Sequence, residues 1–279
     1  MLYVVATPIG NLDDITLRAL KILKQVQLIA AEDTRRTGIL LRHFDIDTPI
    51  LSVHEHNERA RVDRIVSRLA KGESVALVTD AGTPAISDPG AGLVAAIRGQ
   101  GFTVEPIPGA SAVVAAISAS GITSHGFNFL GFPPIRGKDR KQWFADVASG
   151  ARHRLTVFFE APHKLQKTLA ELAELVNRPI IVARELTKVH EEFVTGTPGE
   201  IAARFPEPHG EFTVMIPPAD PAEIAAVDVS DDEVVALFGQ ITDSGRAESK
   251  RDAARATGEQ LGLSAKQVYD IIERHKSVK

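Results

Sequence analysis

The chain of 279 residues contains no cysteine, which excludes disulfide bonds, thiolate-bound zinc and a cysteine nucleophile together. Aromatic residues make up only 5% of it, so the predicted core consists mainly of alanine, valine, isoleucine and leucine. No apolar run approaches the roughly eighteen residues of a membrane-spanning helix. The opening segment MLYVVATPIG also lacks the basic stretch of a signal peptide. We therefore expect a cytoplasmic protein.

Two common phosphate-binding motifs are also absent. The sequence has no G-x-x-x-x-G-K-[ST], and no G-x-G-x-x-G follows its first strand-like run, which excludes a P-loop and a standard dinucleotide site. The formal net charge of −4 argues against attraction of nucleic acid by the whole surface, but it allows a local basic patch. No metal site is predicted, because His54-x-His56 lacks further credible ligands.

Short apolar runs alternate with helical patterns over residues 1–115, the predicted first domain. Strands are expected at Leu2–Thr7, Leu28–Ala31, Ile50–Val53, Ser74–Thr79 and Thr103–Ile107, and helices at Thr16–Gln25 and Glu58–Ala70. Because these strand-like runs are continuously apolar, they predict a parallel sheet that is covered on both faces. The predicted fold class is therefore α/β.

Residues 116–218 predict a second α/β domain with a mixed sheet, because several strand-like runs follow one another without a helix between them. Strands are expected at Asn128–Leu130, Leu155–Phe159, Ile180–Arg184, Glu191–Thr195 and Phe212–Ile216, and helices at Lys138–Ala148 and His163–Val176. The proline-containing segment Pro217–Ser230 then predicts a linker.

Residues 229–279 predict a small helical domain of the helix-turn-helix type. Ser230 with Glu233, and Ser264 with Gln267, form two capping boxes ahead of apolar stretches. From Ser244 onward there are eight Lys and Arg against five Asp and Glu, a net charge of +3 (8 − 5). Two roles stay open for this tail, namely a bundle packed on the body or a nucleic-acid contact.

Three unusual loops follow predicted strands, at the sheet edge where open parallel sheets bind ligands. They are TPIGN (Thr7–Asn11), TDAGTPAISDPG (Thr79–Gly90) and PGAS (Pro108–Ser111). Glycine allows the backbone to approach a ligand closely, and proline holds the shape of a loop. Asp80 is suited to accept hydrogen bonds from a ribose or an amine. The three loops together predict a pocket for a nucleoside-like ligand.

A series of motifs resembles the ribosomal RNA small-subunit methyltransferase I proteins, of the tetrapyrrole-methylase class. The motifs are TPIGNLDDITLRAL, AEDTR, HEHNE, VTDAGTPAISDPG, PIPGASA, FLGFPP, FFEAPHKL and ARELTK, in this order from Leu2 to about Ile216. The helical tail is similar to an appendage of the same proteins. The resemblance implies a homodimer of two-domain α/β subunits that binds S-adenosylmethionine between the domains. The implied reaction is 2′-O-methylation of a cytidine in the decoding region of the 16S ribosomal RNA of the small subunit.

The resemblance also implies which residues contact the methyl donor. They are Ile9, Gly10, Asp80, Gly82, Thr83, Ser111 and Ala112 from the three loops, and Phe159, Glu211, Phe212 and Thr213 from the second domain. Two positions depart from the usual family pattern. Phe159 stands where tyrosine is common, and His209 stands where lysine is common. The missing tyrosine hydroxyl removes a hydrogen bond that relatives could make at this position.

Charged residues near the predicted pocket are candidates for catalysis and RNA binding. Methyl transfer from a sulfonium needs an in-line approach of the ribose oxygen and removal of its proton. We hypothesise that Asp33 with Arg35, and Lys188 with Glu160, orient the ribose, while no single base can be named. The predicted substrate contacts are Glu32, His54, His56, Asn57, Arg136, Lys138, Arg140 and Arg184. Each also has a structural alternative, such as a local ion network, a helix cap or a solvated helix start.

Two other functions compete with an RNA methyltransferase. One is a methylase of a tetrapyrrole or another small molecule with the same donor pocket. The other is a DNA-binding regulator without catalytic activity, which would need a tail that reaches base edges in the major groove. The basic run after GFPP and the helical tail favour the RNA enzyme, since a small-molecule enzyme needs no nucleic-acid module.

Overall fold

The computed structural model describes residues 1–54, 57–220, 230–243, 249–261, 263 and 265–277. The chain divides into two compact units. The first comprises Met1–Ala148 and Leu155–Pro217, and the second comprises Ser149–Arg154 and Pro218–Lys279. Both sheets described below belong to the first unit, and the division into three domains stays a prediction.

The first sheet is entirely parallel, which confirms the interpretation of the continuous apolar runs. Its strands are β1 (Leu2–Val5), β2 (Leu28–Ala31), β3 (Ile50–Ser52), β4 (Val75–Val78) and β5 (Val104–Ile107), in the order β3-β2-β4-β1-β5. Every residue of β2 and β4 is buried. Because β4 and β1 are neighbours at the centre of the sheet, the loops that follow them leave from the same edge.

Helices cover both faces of the first sheet. They are α1 (Leu17–Gln25), α2 (Thr34–His43), α3 (Glu58–Ala70) and α4 (Ala91–Gly99). The next helix, α5 (Ala112–Ser120), packs through Val113 and Ala116 in the core of the second sheet. Leu23 of α1 and Leu40 of α2 pack on one face, and Ile65 of α3 and Leu93 of α4 pack on the other. The predicted helices Thr16–Gln25 and Glu58–Ala70 correspond to α1 and α3 and are confirmed within one residue, whereas α2, α4 and α5 were not predicted.

The second sheet is mixed, as predicted. Its strands are β6 (Phe127–Phe129), β7 (Leu155–Glu160), β8 (Ile180–Arg184), β9 (Glu192–Gly196) and β10 (Phe212–Ile216), in the order β6-β7-β10-β8-β9. The β6–β7 pair is parallel and the other pairs are antiparallel. The last strand in the sequence, β10, therefore lies at the centre of the sheet, and all its residues are buried.

Besides α5, three helices accompany the second sheet, namely α6 (Gly137–His153), α7 (Pro162–Ala173) and α8 (Pro198–Arg204). The helix α8 was not predicted, although Thr197 and Glu200 form a complete capping box at its start. Proline at the first position of α7 and of α8 fits a helix start, where a backbone N–H has no partner within the helix.

The second unit contains α9 (Asp231–Asp243), α10 (Lys250–Leu261) and α11 (Ala265–Ser277). Val234, Ala254 and Val268 form its core, one residue from each helix. One of the two hydrogen bonds of the first predicted capping box is present, since the Ser230 Oγ accepts a hydrogen bond of 3.2 Å from the Glu233 N–H. Ser264 of the second box, and residues 221–229 of the predicted linker, lie outside the described residues. Within the described residues, every helix is too short or too polar to span a membrane.

Candidate functional site

A cavity of about 440 Å³ opens where the loops after β1, β4 and β5 face residues of the second sheet. This larger cavity is lined by residues that include Ile9, Glu32, Arg36, Asp80, Gly82, Thr83, Ser87, Asp88, Ser111, Ala112, Phe132, Phe159, Glu160, Leu186, Glu211, Phe212 and Thr213. Its volume lies in the range of sites that enclose small organic ligands, roughly 300–1,000 Å³.

The loops after β1 and β4 are joined by backbone hydrogen bonds. The Thr7 N–H donates to the Gly82 carbonyl at 2.9 Å, and the Gly82 N–H donates to the Thr7 carbonyl at 3.0 Å. Gly82 has a φ of +76°, a conformation that other residues rarely adopt. The Thr83 hydroxyl donates to the Ala110 carbonyl at 3.4 Å and links these loops to the one after β5. The cavity wall is therefore held by contacts among all three loops.

A smaller cavity of about 230 Å³ adjoins the first one. It is lined by Thr7, Pro8, Ile9, Gly10, Leu12, Arg36, Thr37, Ile39, Leu40, Thr79, Asp80, Ala81, Lys188 and Glu211. Five residues line both cavities, namely Ile9, Arg36, Asp80, Ala81 and Glu211. We call these five residues the shared wall.

Carboxylates dominate the electrostatics of the larger cavity. The Asp80 carboxylate accepts a hydrogen bond of 3.1 Å from the Asp33 N–H, and the Asp80 N–H donates to Glu32 at 3.3 Å. Burial raises the pKa of Asp88 to about 6, and the charges of Glu32 and Asp80 act in the same direction. Burial also raises the pKa of Glu32. Among the residues that line this cavity, Arg36 is the only one with a positively charged side chain, and its Nε lies 3.6 Å from the Asp80 carboxylate. The cavity therefore favours a positively charged ligand.

Asp33 and Arg35 form the expected ion pair, with an Nη2–Oδ2 distance of 3.0 Å. The hydrogen bonds from Arg35 lower the pKa of Asp33 to about 2. Asp33 also caps α2 by accepting from the Arg35 N–H at 2.8 Å. Neither residue lines the larger or the smaller cavity, whereas the next residue, Arg36, lines both of them. Arg36 was missed in the sequence, although it directly follows the AEDTR motif.

Lys188 and Glu160, which were expected to orient the ribose together, have different partners in the structure. The Lys188 ammonium contacts Glu185 at 2.8 Å and Glu211 at 2.9 Å, and Lys188 lines the smaller cavity. Burial opposes the charge of Lys188, but the hydrogen bonds to the two carboxylates outweigh it and raise its pKa. Glu160 is buried and accepts hydrogen bonds from the Thr168 hydroxyl and the Ala161 N–H. The two residues thus serve different cavities.

Arg140, a predicted RNA contact, is a buried structural residue with 5% exposure. Its guanidinium donates to Glu171 and the Pro134 carbonyl at 2.8 and 2.9 Å, and to the Thr168 hydroxyl at 2.9 Å. Because these acceptors occupy the guanidinium, it is not free to bind a phosphate. The hydrogen bonds of Arg140 connect α6 to α7 and to the loop that carries Phe132, and Phe132 lines the larger cavity.

Glu32 is the one predicted RNA contact within the described residues that lines the larger cavity, whereas His54, Asn57, Arg136, Lys138 and Arg184 line neither cavity. Arg136 and Lys138 are exposed at the start of α6. The Asn57 carboxamide oxygen accepts from the His54 N–H at 2.9 Å in the turn before α3, and His56 lies outside the described residues.

Arg184 is engaged within the second sheet, where its Nη1 donates to Glu192 at 2.8 Å. Within the described residues, no group of three or more histidine, aspartate or glutamate side chains could hold a metal ion.

Gly10 lines the smaller cavity instead of the larger one and is required by packing. A Cβ at Gly10 would lie 2.6 Å from the Lys188 Cγ, 2.7 Å from the Thr187 Oγ1 and 2.9 Å from the Leu186 carbonyl oxygen. The adjacent Asn11 N–H donates to the Thr187 hydroxyl at 3.0 Å. The loop after β1 and the loop after β8 therefore approach each other closely at this glycine.

The structure brings the other residues of the expected donor site together. The larger cavity is lined by Ile9, Asp80, Gly82, Thr83, Ser111, Ala112, Phe159, Glu211, Phe212 and Thr213. Besides Arg36, the lining residues that were missed include Asp88 and Phe132. Asp88 and Phe132 both lie inside motifs that carry the family resemblance, and this position in the motifs was the signal in the sequence that could have identified them. The rings of Phe132 and Phe159 lie 5.5 Å apart and form one apolar side of the cavity.

Residues 1–202 match the family model of the tetrapyrrole (corrin/porphyrin) methylases. The chain is also 42% identical, over 277 residues, to the ribosomal RNA small subunit methyltransferase I of Synechocystis sp., covering 97% of this chain and 96% of that relative. The chain belongs to the ribosomal RNA small subunit methyltransferase I group of the tetrapyrrole methylases. A Thermotoga maritima relative of the same name is 44% identical over 218 residues, which cover 77% of this chain and 97% of the relative.

Solved structures of tetrapyrrole methylases and related enzymes share this fold. A diphthine synthase matches with a TM-score of 0.62 at 15% identity, covering 77% of this chain and 89% of that structure. The uroporphyrin-III C-methyl transferase of Thermus thermophilus, solved with S-adenyl homocysteine, matches with a TM-score of 0.55 at 19% identity, covering 77% and 96%. The expected fold class and the family resemblance are thereby confirmed.

Proposed function

We propose that this protein transfers a methyl group from S-adenosylmethionine to the ribose 2′-hydroxyl of a cytidine in the decoding region of 16S ribosomal RNA. The observation that carries the proposal is the larger cavity, which is lined by every expected donor contact except Gly10. The cavity lies in a chain that is 42% identical over nearly its whole length to a protein named as a ribosomal RNA methyltransferase.

The lining of the larger cavity fits S-adenosylmethionine. Glu32, Asp80 and Asp88 supply negative charge for a ligand that carries a sulfonium and an ammonium group. The rings of Phe132 and Phe159 offer an apolar surface for its adenine. When bound, this donor supplies a methyl group whose transfer leaves a neutral thioether, so no general acid is needed.

The protein must then orient the ribose and accept its hydroxyl proton. Lys188 lines the smaller cavity, and we assign it the orientation of the ribose, although its partners are Glu185 and Glu211 instead of Glu160. The proton passes from the 2′-oxygen to a carboxylate of the shared wall, Asp80 or Glu211. Glu160 stays a catalytic candidate as a wall of the larger cavity.

Asp33 and Arg35 act through α2 in this proposal. Asp33 caps that helix and holds Asp80 through its N–H, and Arg36 of the same helix reaches both cavities. The roles of His54, His56, Asn57, Arg136, Lys138 and Arg184 as RNA contacts also stay proposals.

The substrate implies a cytoplasmic enzyme that meets the small ribosomal subunit, and the homodimer rests on the family resemblance. The alignment with the Thermotoga maritima relative covers 97% of that relative but only 77% of this chain. A protein of the same name therefore exists without about one quarter of this chain.

One assay tests the proposed function. Purified protein is incubated with S-adenosylmethionine and small subunits from cells that lack the enzyme, and the digested RNA is analysed by nucleoside mass spectrometry. The expected product is 2′-O-methylcytidine. Methyl groups on a base, or no transfer to RNA, would overturn the proposal. Transfer to a tetrapyrrole instead would favour the small-molecule methylase.

A variant at the shared wall tests the donor site. Asp80→Ala removes a carboxylate from the larger cavity, and we expect the Kd for S-adenosylmethionine to rise at least about tenfold, because hydrogen bonds to charged groups are worth about 1.5–3 kcal/mol. Asp139→Ala at an exposed position of α6 is the control, with an unchanged Kd. Calorimetric titration measures both variants. An unchanged donor affinity in Asp80→Ala would count against the assignment.

A further inference from the structure

We propose that the smaller cavity receives the acceptor ribose and that the buried hydroxyl of Thr79 makes a hydrogen bond to it. This inference rests on the proposed function and adds the site of the second substrate. Seven of the eleven expected donor contacts line only the larger cavity, Ile9, Asp80 and Glu211 border both cavities, and Gly10 lines the smaller one.

The unpaired hydroxyl of Thr79 is the first observation. Thr79 directly follows β4, is 2% exposed and lines the smaller cavity. Its Oγ1 is buried and has no hydrogen-bond partner within the described part of the chain. Most buried polar side-chain atoms in proteins are hydrogen-bonded, because an unsatisfied one destabilises the fold. A hydroxyl kept unpaired on a cavity wall therefore indicates a polar group of a ligand.

The neighbouring threonine gives a contrast within the same cavity. Thr7 is also buried and lines the smaller cavity, but its hydroxyl donates to the Thr79 carbonyl at 3.2 Å. That bond holds the end of β1 against the end of β4 and gives Thr7 a structural role. The Thr79 side chain has no such role, which leaves its hydroxyl available to a ligand.

The size and lining of the smaller cavity suit a sugar. Its volume of about 230 Å³ is below the usual range for a complete cofactor-sized ligand. Leu12 and Leu40 are apolar walls, while Thr79, Asp80 and Lys188 are polar ones. A ribose presents both kinds of surface, with hydroxyls at its edge and carbon atoms on its faces.

Cationic side chains at the same cavity suit a ribose that belongs to RNA. Arg36 lines the cavity with a side chain that is 63% exposed, and Lys188 contributes an ammonium group. A ribose within a strand carries a phosphate on each side, and Arg and Lys side chains supply most of the charge that holds such phosphates. A free sugar would not need them.

The shared wall makes the two cavities neighbours. Methyl transfer needs the ribose oxygen in contact with the methyl carbon and in line with the bond that breaks. Ile9, Asp80 and Glu211 border both cavities, so a ribose in the smaller cavity lies next to a donor in the larger one. The 2′-oxygen forms the bond to carbon, the electron pair of the broken bond stays on sulfur, and the proton goes to Asp80 or Glu211.

The test is the variant Thr79→Val, which removes the hydroxyl and keeps the branched shape. We expect an unchanged or higher stability to urea, since no internal hydrogen bond is lost. The Kd for S-adenosylmethionine should stay within about twofold, while kcat/KM for small subunits falls about tenfold. Thr79→Ser restores the hydroxyl and should recover most of the loss. Thr156→Val, at a fully buried threonine of β7 that lines neither cavity, is the matched control with unchanged kcat/KM.

Each outcome decides between the two proposals. If the wild-type protein methylates ribose and Thr79→Val does so with the same kcat/KM, the acceptor site is wrong and the proposed function stands. If Thr79→Val weakens donor binding, the smaller cavity belongs to the donor and the acceptor site is again wrong. If the wild-type protein methylates no ribose, the proposed function itself is wrong and the acceptor site falls with it.

Discussion

The pH dependence of donor binding is a direct test of the charge in the larger cavity. Asp88 lines this cavity, and burial, together with the charges of Glu32 and Asp80, raises its pKa to about 6. A positively charged donor stabilises the ionised carboxylate, so the pKa of Asp88 is lower in the complex than in the free protein. Binding therefore releases a proton near pH 6, and donor affinity falls as the pH is lowered through this value.

The size of the effect follows from the raised pKa of Asp88. A full return from about 6 to 3.8 on binding would be worth about 3 kcal/mol, at about 1.4 kcal/mol per unit. Because Asp88 is only half-buried, solvent screening reduces this to about 1.4 kcal/mol, a shift of roughly one unit. A pKa of about 6 in the free protein and about 5 in the complex raises the Kd about fivefold between pH 7.5 and pH 5. Glu32, whose pKa is also raised by burial, acts in the same direction.

Calorimetric titration with S-adenosylmethionine from pH 5 to pH 8 measures the effect, and buffers of different ionisation enthalpy report the released proton. Asp88→Asn should flatten the profile. S-adenosylhomocysteine, which lacks the sulfonium charge, should show a smaller dependence in the wild-type protein. A flat wild-type profile, or an equal slope in Asp88→Asn, would refute the reasoning.

Two further predictions concern packing around the cavities. Arg140→Met leaves buried acceptors without their donor, and we expect urea unfolding to show a loss of stability of about 3 kcal/mol. The control Lys138→Met, at an exposed site of the same helix, should lose less than about 0.5 kcal/mol. Equal stabilities of the two variants would contradict the buried network. Gly10→Ala places a Cβ within 2.9 Å of a backbone oxygen, and we expect urea unfolding to show a loss of stability of about 1–3 kcal/mol. Gly99→Ala, which meets nothing within 4 Å, should be neutral or stabilising by the same measurement, and a neutral Gly10→Ala would show that the two loops separate easily.

Local patterns in the sequence were sufficient to predict both sheets. A strand buried on both faces, such as β4, is a continuous apolar run that needs no knowledge of its partners. The helix α5 was missed because its segment AVVAAISAS has almost no charged or strongly polar face, so its periodicity is weak. The helix α2 was missed because it starts within the polar AEDTR region and buries only Thr37, Leu40 and Leu41.

The candidate site could be predicted where its residues lie in loops with special turn chemistry. Asp80, Gly82 and Thr83 belong to one such loop, and their shared position at a strand end follows from the parallel sheet. The partner of Lys188 and the burial of Arg140 could not be predicted in this way. Both depend on side chains that are distant in the sequence and meet only in the folded chain, Glu211 for Lys188 and Glu171 for Arg140.

The central position of β10 has a consequence for the growing chain during synthesis. This strand is the last one of the first unit to be made, yet it fills the gap between β7 and β8. Until Phe212–Ile216 has left the ribosome, the facing edges of β7 and β8 remain unpaired, and exposed strand edges promote aggregation. The second sheet, and the cavity wall that Phe212 and Thr213 provide, are therefore completed late, after the first sheet has all its strands. A nascent chain stalled just before this strand would hold a finished first sheet beside an open second one.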